Sequence, residues 1–580
     1  MIKLFKYFRK RDVLMIILSL LFIVLSVFLD LKIPEYMSIV TRLVQTEGSK
    51  ISDIWLNGGF MLLSALGSLL ATVIVSFFAA KVGSSIAKNL RSELFNKVDS
   101  FSMAEINSFS TPSLITRSTN DVTQVQMVTT LGIMMLLKAP IMAVWALIKI
   151  ANKGFEWTMA TFIAVIILSV IMGLILLFVI PKFKKMQILT DDLNKVTREH
   201  LSGLSVVRAY NAESYQQAKL EHVNTNLTKT KLYTSRTMST IQPTMMFMMS
   251  GLSLAIYWIG AFLISNALPL DRLTLFSNMV VFSSYSIQVL MSFMMITMLF
   301  VLLPRAQVSA KRINEVLDTY PTILDGDINS NPFEGTIEFK HVSFKYPDAE
   351  ECVLKDISFK IEKGQTAAFI GSTGSGKSTI LNLVLRFYDV TEGEILVDGI
   401  NVKDYELHTL YERLGYIPQN AVMFDGSVLS NVAFGQKEEA INQEKVKEAI
   451  NIAQSEDFVL NMNDTYHGAI SRGGTNLSGG QKQRLSIARA IYKEPSIYLF
   501  DDSFSALDYK TDRMLRTTLK RHENKTNLIV AQRVGTILDS DQIIVLDSGR
   551  IVGIGKHDEL MKTSSVYQEI AYSQLSREEL

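Results

Sequence analysis

One stretch decides the fold of the C-terminal half of this chain: Gly371-Ser372-Thr373-Gly374-Ser375-Gly376-Lys377-Ser378-Thr379. An apolar run at 367–370 precedes it and another at 380–385 follows it, which indicates a strand, a glycine-rich loop and a helix. This is the spacing of a P-loop, whose backbone N–H groups turn toward phosphate oxygens at the positive end of a helix. We expect Lys377 to reach the β- and γ-phosphates and Ser378 to ligate Mg²⁺. The stretch therefore predicts an ATP site with Mg²⁺ as its cofactor.

Composition indicates two unlike halves. Hydrophobic residues make up 48% of the 580 residues and charged residues 20%, but most of the apolar segments lie before residue 304. A chain of this length is expected to divide into at least two domains. The net charge of +2 gives no reason to expect a nucleic-acid partner. Cys352 is the only cysteine, so the sequence allows neither an intrachain disulfide nor a cysteine metal cluster.

The N-terminal half contains segments long enough to cross a lipid bilayer, which takes about 20 mostly apolar residues. Their apolar residues surround the whole helix, which is typical of membrane spans and not of soluble amphipathic helices. The first follows basic residues but is longer than a signal-peptide core, so we interpret it as a retained helix. The predicted spans are 13–33, 58–80, 131–151, 157–180, 244–264 and 275–303.

Charge predicts the orientation of these spans. Two long polar stretches, 81–130 and 181–243, separate them into pairs, and the second carries many lysines and arginines. The short connections carry few basic residues, such as Arg42 and Arg272. By the positive-inside rule, the N-terminus, both long stretches and the C-terminal half lie in the cytoplasm of a multi-pass protein of the cell membrane. The long stretches show helical spacing, with turns predicted at 109–113 and 210–214, whose tips could touch a cytoplasmic domain.

The predicted fold class is a membrane all-α domain, with six transmembrane helices and long cytoplasmic extensions, followed by an α/β P-loop ATP-binding cassette. The membrane domain is predicted at 1–318. Residues 319–335 are rich in Asp, Asn, Pro and Gly and are predicted to form the linker. From residue 336 to 580 strands alternate with helices, as a P-loop domain requires.

Two further motifs complete the predicted site. The apolar run 497–500 is typical of a buried strand and ends in Asp501 and Asp502, and an aspartate there can hold Mg²⁺ beside Ser378. A second glycine pair at the start of a helix forms another phosphate-type cradle. Two cradles in one domain suggest that one subunit's P-loop is closed by the second cradle of another subunit. The residues of this second cradle are Ser478, Gly479, Gly480 and Gln481.

With these motifs in place, essentially the whole chain resembles an ABC exporter half-transporter. Residues 477–481 match the family's signature, which together with a P-loop is highly specific. The resemblance implies that Tyr346 stacks on adenine, that Gln419 lies near Mg²⁺ in the Q-loop, and that Asp508 belongs to the D-loop. It also implies a dimer that alternates access across the membrane.

Two positions depart from the family pattern. The general base is a glutamate in the family and Asp502 here, and the switch histidine is replaced by Gln532. An aspartate is one methylene shorter, and general-base catalysis needs hydrogen-bond reach to the attacking water. A glutamine can donate a hydrogen bond but cannot carry a proton or a positive charge. This combination resembles the degenerate-site subunit of heterodimeric bacterial multidrug exporters, so we predict a weak ATP site and a second half-transporter as partner. A slow homodimer is the alternative.

The cargo is the least determined feature. Methionines are frequent in the fifth and sixth spans, among them Met245 and Met294, and they suit either a cavity of variable shape or ordinary packing. Charges at Asp30, Lys32, Glu35, Lys138 and Lys149 either face a cavity or pair near helix ends. We expect amphipathic small molecules, with lipids or peptides as alternatives. A non-transporting ATP sensor is an alternative from another class, against which the intact signature argues.

Overall fold

The computed structural model describes residues 2–151, 154–330, 332–521 and 525–575. Two compact units divide the chain. The first contains Met1–Asp99 and Thr111–Thr319, and the second contains Ser100–Ser110 and Tyr320–Leu580. A short segment of the first long polar stretch thus belongs to the second unit.

The first unit is helical. It begins with a 3₁₀ helix at Ile2–Tyr7, and π-helical turns at Arg117–Asp121 and Gly132–Leu136 interrupt its third long helix, Thr111–Ala151. The α-helices up to residue 318, of which α3 belongs to the second unit, are α1 (Lys10–Gln45), α2 (Ile51–Asp99), α3 (Met103–Phe109), α4 (Thr111–Thr116), α5 (Val122–Leu131), α6 (Lys138–Ala151), α7 (Phe155–Ser202), α8 (Leu204–Ala209), α9 (Glu213–Ser239), α10 (Ile241–Asn266) and α11 (Pro269–Asp318).

Within the described residues, six helices are long and apolar enough to cross a membrane, as the sequence predicted. Helix α7 has 48 residues, or about 72 Å at 1.5 Å per residue, which is more than twice the bilayer core. Such helices continue well beyond the bilayer. Pro181 in α7 and Pro304 in α11 lie inside continuous helices.

The core of the first unit lies where α1, α6, α7, α10 and α11 meet. Trp157 is fully buried, packs on Phe282 with ring centroids 5.6 Å apart, and donates its indole N–H to the carbonyl of Ile256 at 3.1 Å. The hydrogen bond satisfies the one polar atom of a large apolar side chain. Tyr285 likewise donates its hydroxyl to the carbonyl of Leu31, which ties α11 to α1.

The second unit is built on two main sheets. An antiparallel sheet has the order β2-β1-β4-β5, and a six-stranded sheet has the order β12-β11-β3-β10-β9-β6, in which only β12 runs antiparallel to its neighbour. A small third sheet pairs β7 with β8. The strands are β1 (Ile337–Phe344), β2 (Leu354–Ile361), β3 (Thr366–Gly371), β4 (Glu392–Val397), β5 (Ile400–Asn401), β6 (Leu414–Ile417), β7 (Gly426–Ser427), β8 (Ala469–Ile470), β9 (Ile497–Asp501), β10 (Thr526–Val530), β11 (Gln542–Asp547) and β12 (Arg550–Gly555).

Helices cover the six-stranded sheet, so its central strands are buried on both faces. This explains why β3 and β9 are almost continuously apolar in sequence. The α-helices of the second unit after residue 320 are α12 (Lys377–Val384), α13 (Leu407–Arg413), α14 (Val428–Val432), α15 (Gln443–Ile452), α16 (Glu456–Leu460), α17 (Gly479–Lys493), α18 (Tyr509–Arg521), α19 (Val534–Ile537), α20 (His557–Thr563) and α21 (Ser565–Gln574).

Helix α3 is held in the second unit by Glu105. Its carboxylate accepts hydrogen bonds from the backbone N–H and hydroxyl of Ser102 and from the backbone N–H of Thr322. Burial opposes ionisation of this carboxyl, but these hydrogen bonds outweigh it and lower the pKa of Glu105. Helix α3, in the middle of the first long polar stretch, is therefore fastened to the segment that follows α11.

Candidate nucleotide site

Sheet topology brings the predicted site residues to one edge. The strands β3, β10, β9 and β6 are parallel neighbours in that order, so their carboxyl ends meet at the same edge of the sheet. Ligands of open α/β sheets bind at this edge. The P-loop follows β3, and Gln532 follows β10. Asp501 ends β9 and Asp502 comes next, and Gln419 follows β6.

The P-loop needs glycine at its two ends. A Cβ on Gly371 would collide with the carbonyl oxygen of Leu546 on β11, the strand beside β3. Gly376 has φ +97°, a left-handed conformation that side chains disfavour, and it is the residue from which α12 starts. The intervening Ser372, Thr373 and Gly374 are exposed. The shape of the loop is therefore set by its own backbone and by the neighbouring strand.

Lys377 lies inside this loop. Its ammonium donates to the carbonyls of Gly371 at 2.9 Å and Ser372 at 2.8 Å, and it lies 3.5 Å from the hydroxyl of Ser375. Burial lowers the pKa of the lysine, while Asp502 and Asp501 oppose this. A phosphate group would supply the negative charge that this buried cation lacks among its hydrogen-bond partners, which are neutral oxygens.

The donor set for a cation is formed by Ser378 and Asp501. The Ser378 hydroxyl donates to Asp501 Oδ1 at 2.6 Å, so an alcohol and a carboxylate oxygen lie side by side. Burial raises the pKa of Asp501, and the Ser378 hydrogen bond and Lys377 oppose the rise. Hard oxygen ligands in small number, completed by water and phosphate, suit Mg²⁺. These residues fit the ion that the sequence predicted.

Asp502 is held by two amides. Its Oδ2 accepts from Gln532 Nε2 at 2.8 Å and from Gln419 Nε2 at 3.2 Å. Burial, with a smaller contribution from Asp501, raises the pKa of Asp502, while hydrogen bonding and Lys377 oppose it. Its backbone has φ +47°, a left-handed conformation that aspartate tolerates better than most residues. The three residues that the sequence placed in the catalytic set thus meet at one carboxylate oxygen.

Tyr346 lies beside the P-loop helix in an aromatic cluster. Its hydroxyl is 3.1 Å from the hydroxyl of Thr379, the last residue of the P-loop sequence. Tyr388 packs edge-on against its ring, with centroids 5.1 Å apart. The Tyr388 hydroxyl in turn accepts a hydrogen bond from the side-chain amide of Asn107 on α3 at 3.1 Å.

The second cradle is capped by its own residues. Ser478 is the N-cap of α17: its hydroxyl accepts from the backbone N–H of Gln481, and the Gln481 side-chain oxygen accepts from the backbone N–H of Ser478, which forms a capping box. Ser478 and Gly479 are exposed, and a Cβ at Gly479 would meet open space. Asp508 accepts from the backbone and hydroxyl of Thr511 at the start of α18. Across the described residues, no hydrogen bond joins Ser478, Gly479, Gly480 or Gln481 to the P-loop.

Sequence reasoning missed Tyr388 and Asn107. Tyr388 follows the P-loop helix directly in an Arg-Phe-Tyr triplet, and two consecutive aromatics at a helix end could have suggested packing on the site. Asn107 carries no comparable signal, because its role depends on α3 belonging to the second unit.

Comparisons with known proteins agree with this arrangement. The family model for the ABC transporter transmembrane region matches residues 16–298, and the ABC transporter model matches residues 354–505. An uncharacterized ABC transporter ATP-binding protein of Mycobacterium tuberculosis is 35% identical over 89% of this chain and 87% of its own length. An ATP-dependent lipid A-core flippase of Saccharophagus degradans is 30% identical over 86% of this chain and 84% of its own length. A bacterial Atm1-family ABC exporter with ATP bound has the same fold, with a TM-score of 0.83, 24% identity, and coverage of 98% of this chain and 100% of that chain.

Six membrane helices followed by an α/β cassette define a multi-pass membrane protein whose C-terminal ATP-binding domain is cytoplasmic. The chain belongs to the ABC transporter family, and its fold is that of an exporter half-transporter. An ABC cassette binds ATP, normally with Mg²⁺, and implies ATPase activity. Half-transporters act as dimers in the lipid bilayer.

Proposed function

We propose that this chain is one half of a heterodimeric ABC exporter and that its own P-loop holds ATP while hydrolysing it slowly. One observation carries this proposal: the Asp502 carboxylate, in the position of the general base, is bound by the amides of Gln419 and Gln532. In a competent site the base needs an oxygen free to accept a proton from water. Here Oδ2 is occupied by two amide donors, which leaves one carboxylate oxygen, Oδ1, for the attacking water, and the neutral Gln532 supplies no positive charge beside it.

In this proposal ATP is held by Tyr346 and by the P-loop residues Gly371 to Thr379. Lys377 contacts phosphate, Ser378 and Asp501 hold Mg²⁺, and Gln419 lies beside them. Mg²⁺ neutralises phosphate charge when bound. Because Asp502 is shorter than glutamate and Gln532 stays neutral, this pocket favours binding over turnover.

The other half of the proposal concerns the partner. Ser478, Gly479, Gly480 and Gln481 stand exposed or half-buried at the start of α17, where the helix dipole favours an anion. They bind phosphate on the partner's ATP, with Asp508 nearby, and complete the site that hydrolyses. A homodimeric exporter is the alternative partner arrangement.

The proposed cargo is an amphipathic small molecule carried across the cell membrane. A lipid is the second candidate, because a relative that is 30% identical over most of its length is named a lipid A-core flippase. The exposed methionines of α10 and α11 support a cavity for variable shapes, whereas the buried ones pack in the core of the first unit. Met245 and Met248 are buried, Met294 is half-buried and Met298 is exposed.

The test is ATPase activity and transport in proteoliposomes. The purified chain is measured alone, with Lys377→Ala as the blank, and then together with a half-transporter that has glutamate and histidine at the two replaced positions. We expect slow hydrolysis alone and fast hydrolysis with export of a fluorescent amphiphile in the pair. Fast ATPase and transport by the chain alone would establish the homodimer. Nucleotide binding without transport in every pairing would favour the ATP sensor.

A further inference from the structure

Five charged residues lie in or beside the membrane-spanning parts of α1 and α6. Asp30, Lys32 and Glu35 lie on α1, and Lys138 and Lys149 lie on α6. Charges at such depths are costly unless they are paired or face a polar space. The five residues form two clusters of different charge balance.

The inner cluster is closed. Lys138 lies 3.2 Å from Asp30 and donates to the Ser26 hydroxyl at 3.1 Å, and the Ser68 hydroxyl donates to the second oxygen of Asp30. One cation meets one anion, so the cluster is neutral. This neutral cluster serves as a matched control for the second cluster, which contains Lys32, Glu35 and Lys149.

The outer cluster has one positive charge in excess. Lys32 contacts Glu35 Oε2 at 2.6 Å, and Lys149 contacts Glu35 Oε1 at 2.6 Å, so two ammonium groups share one carboxylate. In the part of the chain that the structure describes, neither lysine pairs with a second acidic side chain. Each side chain is about one-third exposed, at 34% and 35%. An ammonium has three donors, and Glu35 uses one of each.

An apolar groove lies next to this cluster. It has a volume of about 490 Å³ and is lined by Pro140, Ile141, Val144, Trp145 and Ile148 of α6. Trp145 is one helical turn from Lys149 and packs on Phe28, with ring centroids 5.9 Å apart. The Lys32 ammonium lies 5.6 Å from the centre of the Phe28 ring. The cationic cluster therefore borders the aromatic end of a purely apolar surface.

We propose that Lys32 and Lys149 bind the anionic head group, a phosphate or a carboxylate, of a transported amphiphile whose apolar tail lies along the α6 groove. The excess positive charge and the free N–H donors are complementary to such a head, and the groove offers no polar side chain to compete for the tail. This assignment rests on the proposed function and narrows its cargo to anionic amphiphiles.

The test uses two fluorescent probes that share one acyl tail and differ in head charge, one a phosphate and the other a trimethylammonium. Equilibrium binding is measured on the full chain in neutral-lipid nanodiscs, and ATP-driven transport on the assembled pair in vesicles. The chain is expected to bind the phosphate probe more tightly. Lys149→Gln should weaken binding of the phosphate probe by about 10-fold, the effect of one charge-assisted contact, and should not weaken binding of the cationic probe, whose head no longer meets an excess positive charge.

The control is Asp30→Asn combined with Lys138→Gln. This double variant removes the neutral pair and should leave the preference for the phosphate probe over the trimethylammonium probe unaltered. Ile148→Asn, at an exposed position in the groove, should weaken the binding of both probes equally, because the two probes share one tail. Equal affinity for the two heads, or an equal loss of both in Lys149→Gln, would overturn the assignment. Binding that depends on Lys149 without transport would make this a site for a resident anionic lipid and overturn the cargo assignment. Because binding is measured without ATP, failure of transport by every probe would count against the proposed function separately.

Discussion

Gln532 donates its side-chain amide to the Asp502 carboxylate at 2.8 Å, across the carboxyl ends of β10 and β9. The two residues that depart from the family pattern are therefore in contact with each other. An imidazole at 532 could take up a proton beside this carboxylate, whereas the amide can only donate one of its own. The contact links the two replacements in one local structure.

Restoring the family pattern should restore hydrolysis at this site. In the double variant Asp502→Glu and Gln532→His, the longer carboxylate regains reach and the imidazole regains charge. General-base catalysis contributes about 10²–10⁴-fold, so we expect at least about a 10-fold rise in ATPase of the purified chain. Adding Lys377→Ala should abolish the gain. An unchanged rate would show that this carboxylate is not what limits turnover.

Substitutions in the signature and at Asp502 should lower the ATPase activity of the assembled pair by unequal amounts. Gly479→Asp places a carboxylate in open, exposed space where the partner's phosphate is proposed to lie, so folding should be unaffected. We expect the pair to lose about 10²-fold or more in ATPase, as for other lost electrostatic contacts to a transferring group. Gly479→Asn controls for size without charge, and Asp502→Asn should leave the pair nearly as active as before. A large loss of ATPase activity in the pair with Asp502→Asn would contradict the proposal that hydrolysis takes place mainly in the partner's ATP site.

Nucleotide binding by the isolated chain should depend on pH through Asp501. Because burial raises the pKa of this carboxyl, it takes up a proton at a higher pH than an ordinary aspartate, whose pKa is about 3.9. A neutral carboxyl is a poor Mg²⁺ ligand, so Mg²⁺-dependent ATP affinity should begin to fall at a higher pH than protonation of an ordinary aspartate would cause. Titration with a fluorescent ATP analogue, with and without chelator, measures this. Asp501→Asn should bind weakly with a shallower profile, because only the phosphate of the nucleotide then titrates, and an equally steep profile in that variant would assign the titration elsewhere.

Tyr388 should separate nucleotide binding from transport. Tyr388→Phe keeps the ring against Tyr346 but loses the acceptor for Asn107, so we expect unchanged ATP affinity and less cargo moved per ATP in the assembled pair. Tyr388→Leu also loses the aromatic contact, worth about 0.5–1.5 kcal/mol, and should weaken ATP binding by about 2- to 10-fold. Asn107→Ala should reproduce the phenylalanine variant. If the assembled pair moved the same amount of cargo per ATP with Tyr388→Phe as with the unmodified chain, this hydrogen bond would have no role in transport.

The stability of the cassette should depend on a buried ion pair. Arg413 lies 3.2 Å from Asp398, both side chains are fully buried, and Asp398 also accepts from the backbone N–H groups of Gly335 and Thr336. Arg413→Ala leaves a buried carboxylate without its cation, which costs about 3–5 kcal/mol. Calorimetry of the full chain should show a lower Tm for the cassette transition. Lys360→Gln, in the exposed pair with Glu362, serves as the neutral control. Equal Tm values for the two variants would refute the argument.

The sequence by itself determined the fold class. Long apolar runs are required wherever a helix crosses a bilayer, and the P-loop needs its glycines and lysine at fixed spacing. Both features can therefore be predicted from the sequence without knowledge of any tertiary contact. The two replacements at 502 and 532 were also legible, because they are single positions beside recognisable strands. These features depend on local chain chemistry.

Only the tertiary structure decided which side chains meet. Strand order places Gln419, Asp502 and Gln532 at one oxygen although 113 positions separate the first from the last in sequence numbering (532 − 419). The assignment of α3 to the second unit and the sharing of Glu35 by two lysines, one from α1 and one from α6, likewise come from packing between distant segments. Hydropathy and spacing report the local environment of each segment. Partners across the fold depend on how sheets and helices are arranged in space, and that is what turns the same list of charged residues into a closed neutral pair in one place and an open cationic cluster in another.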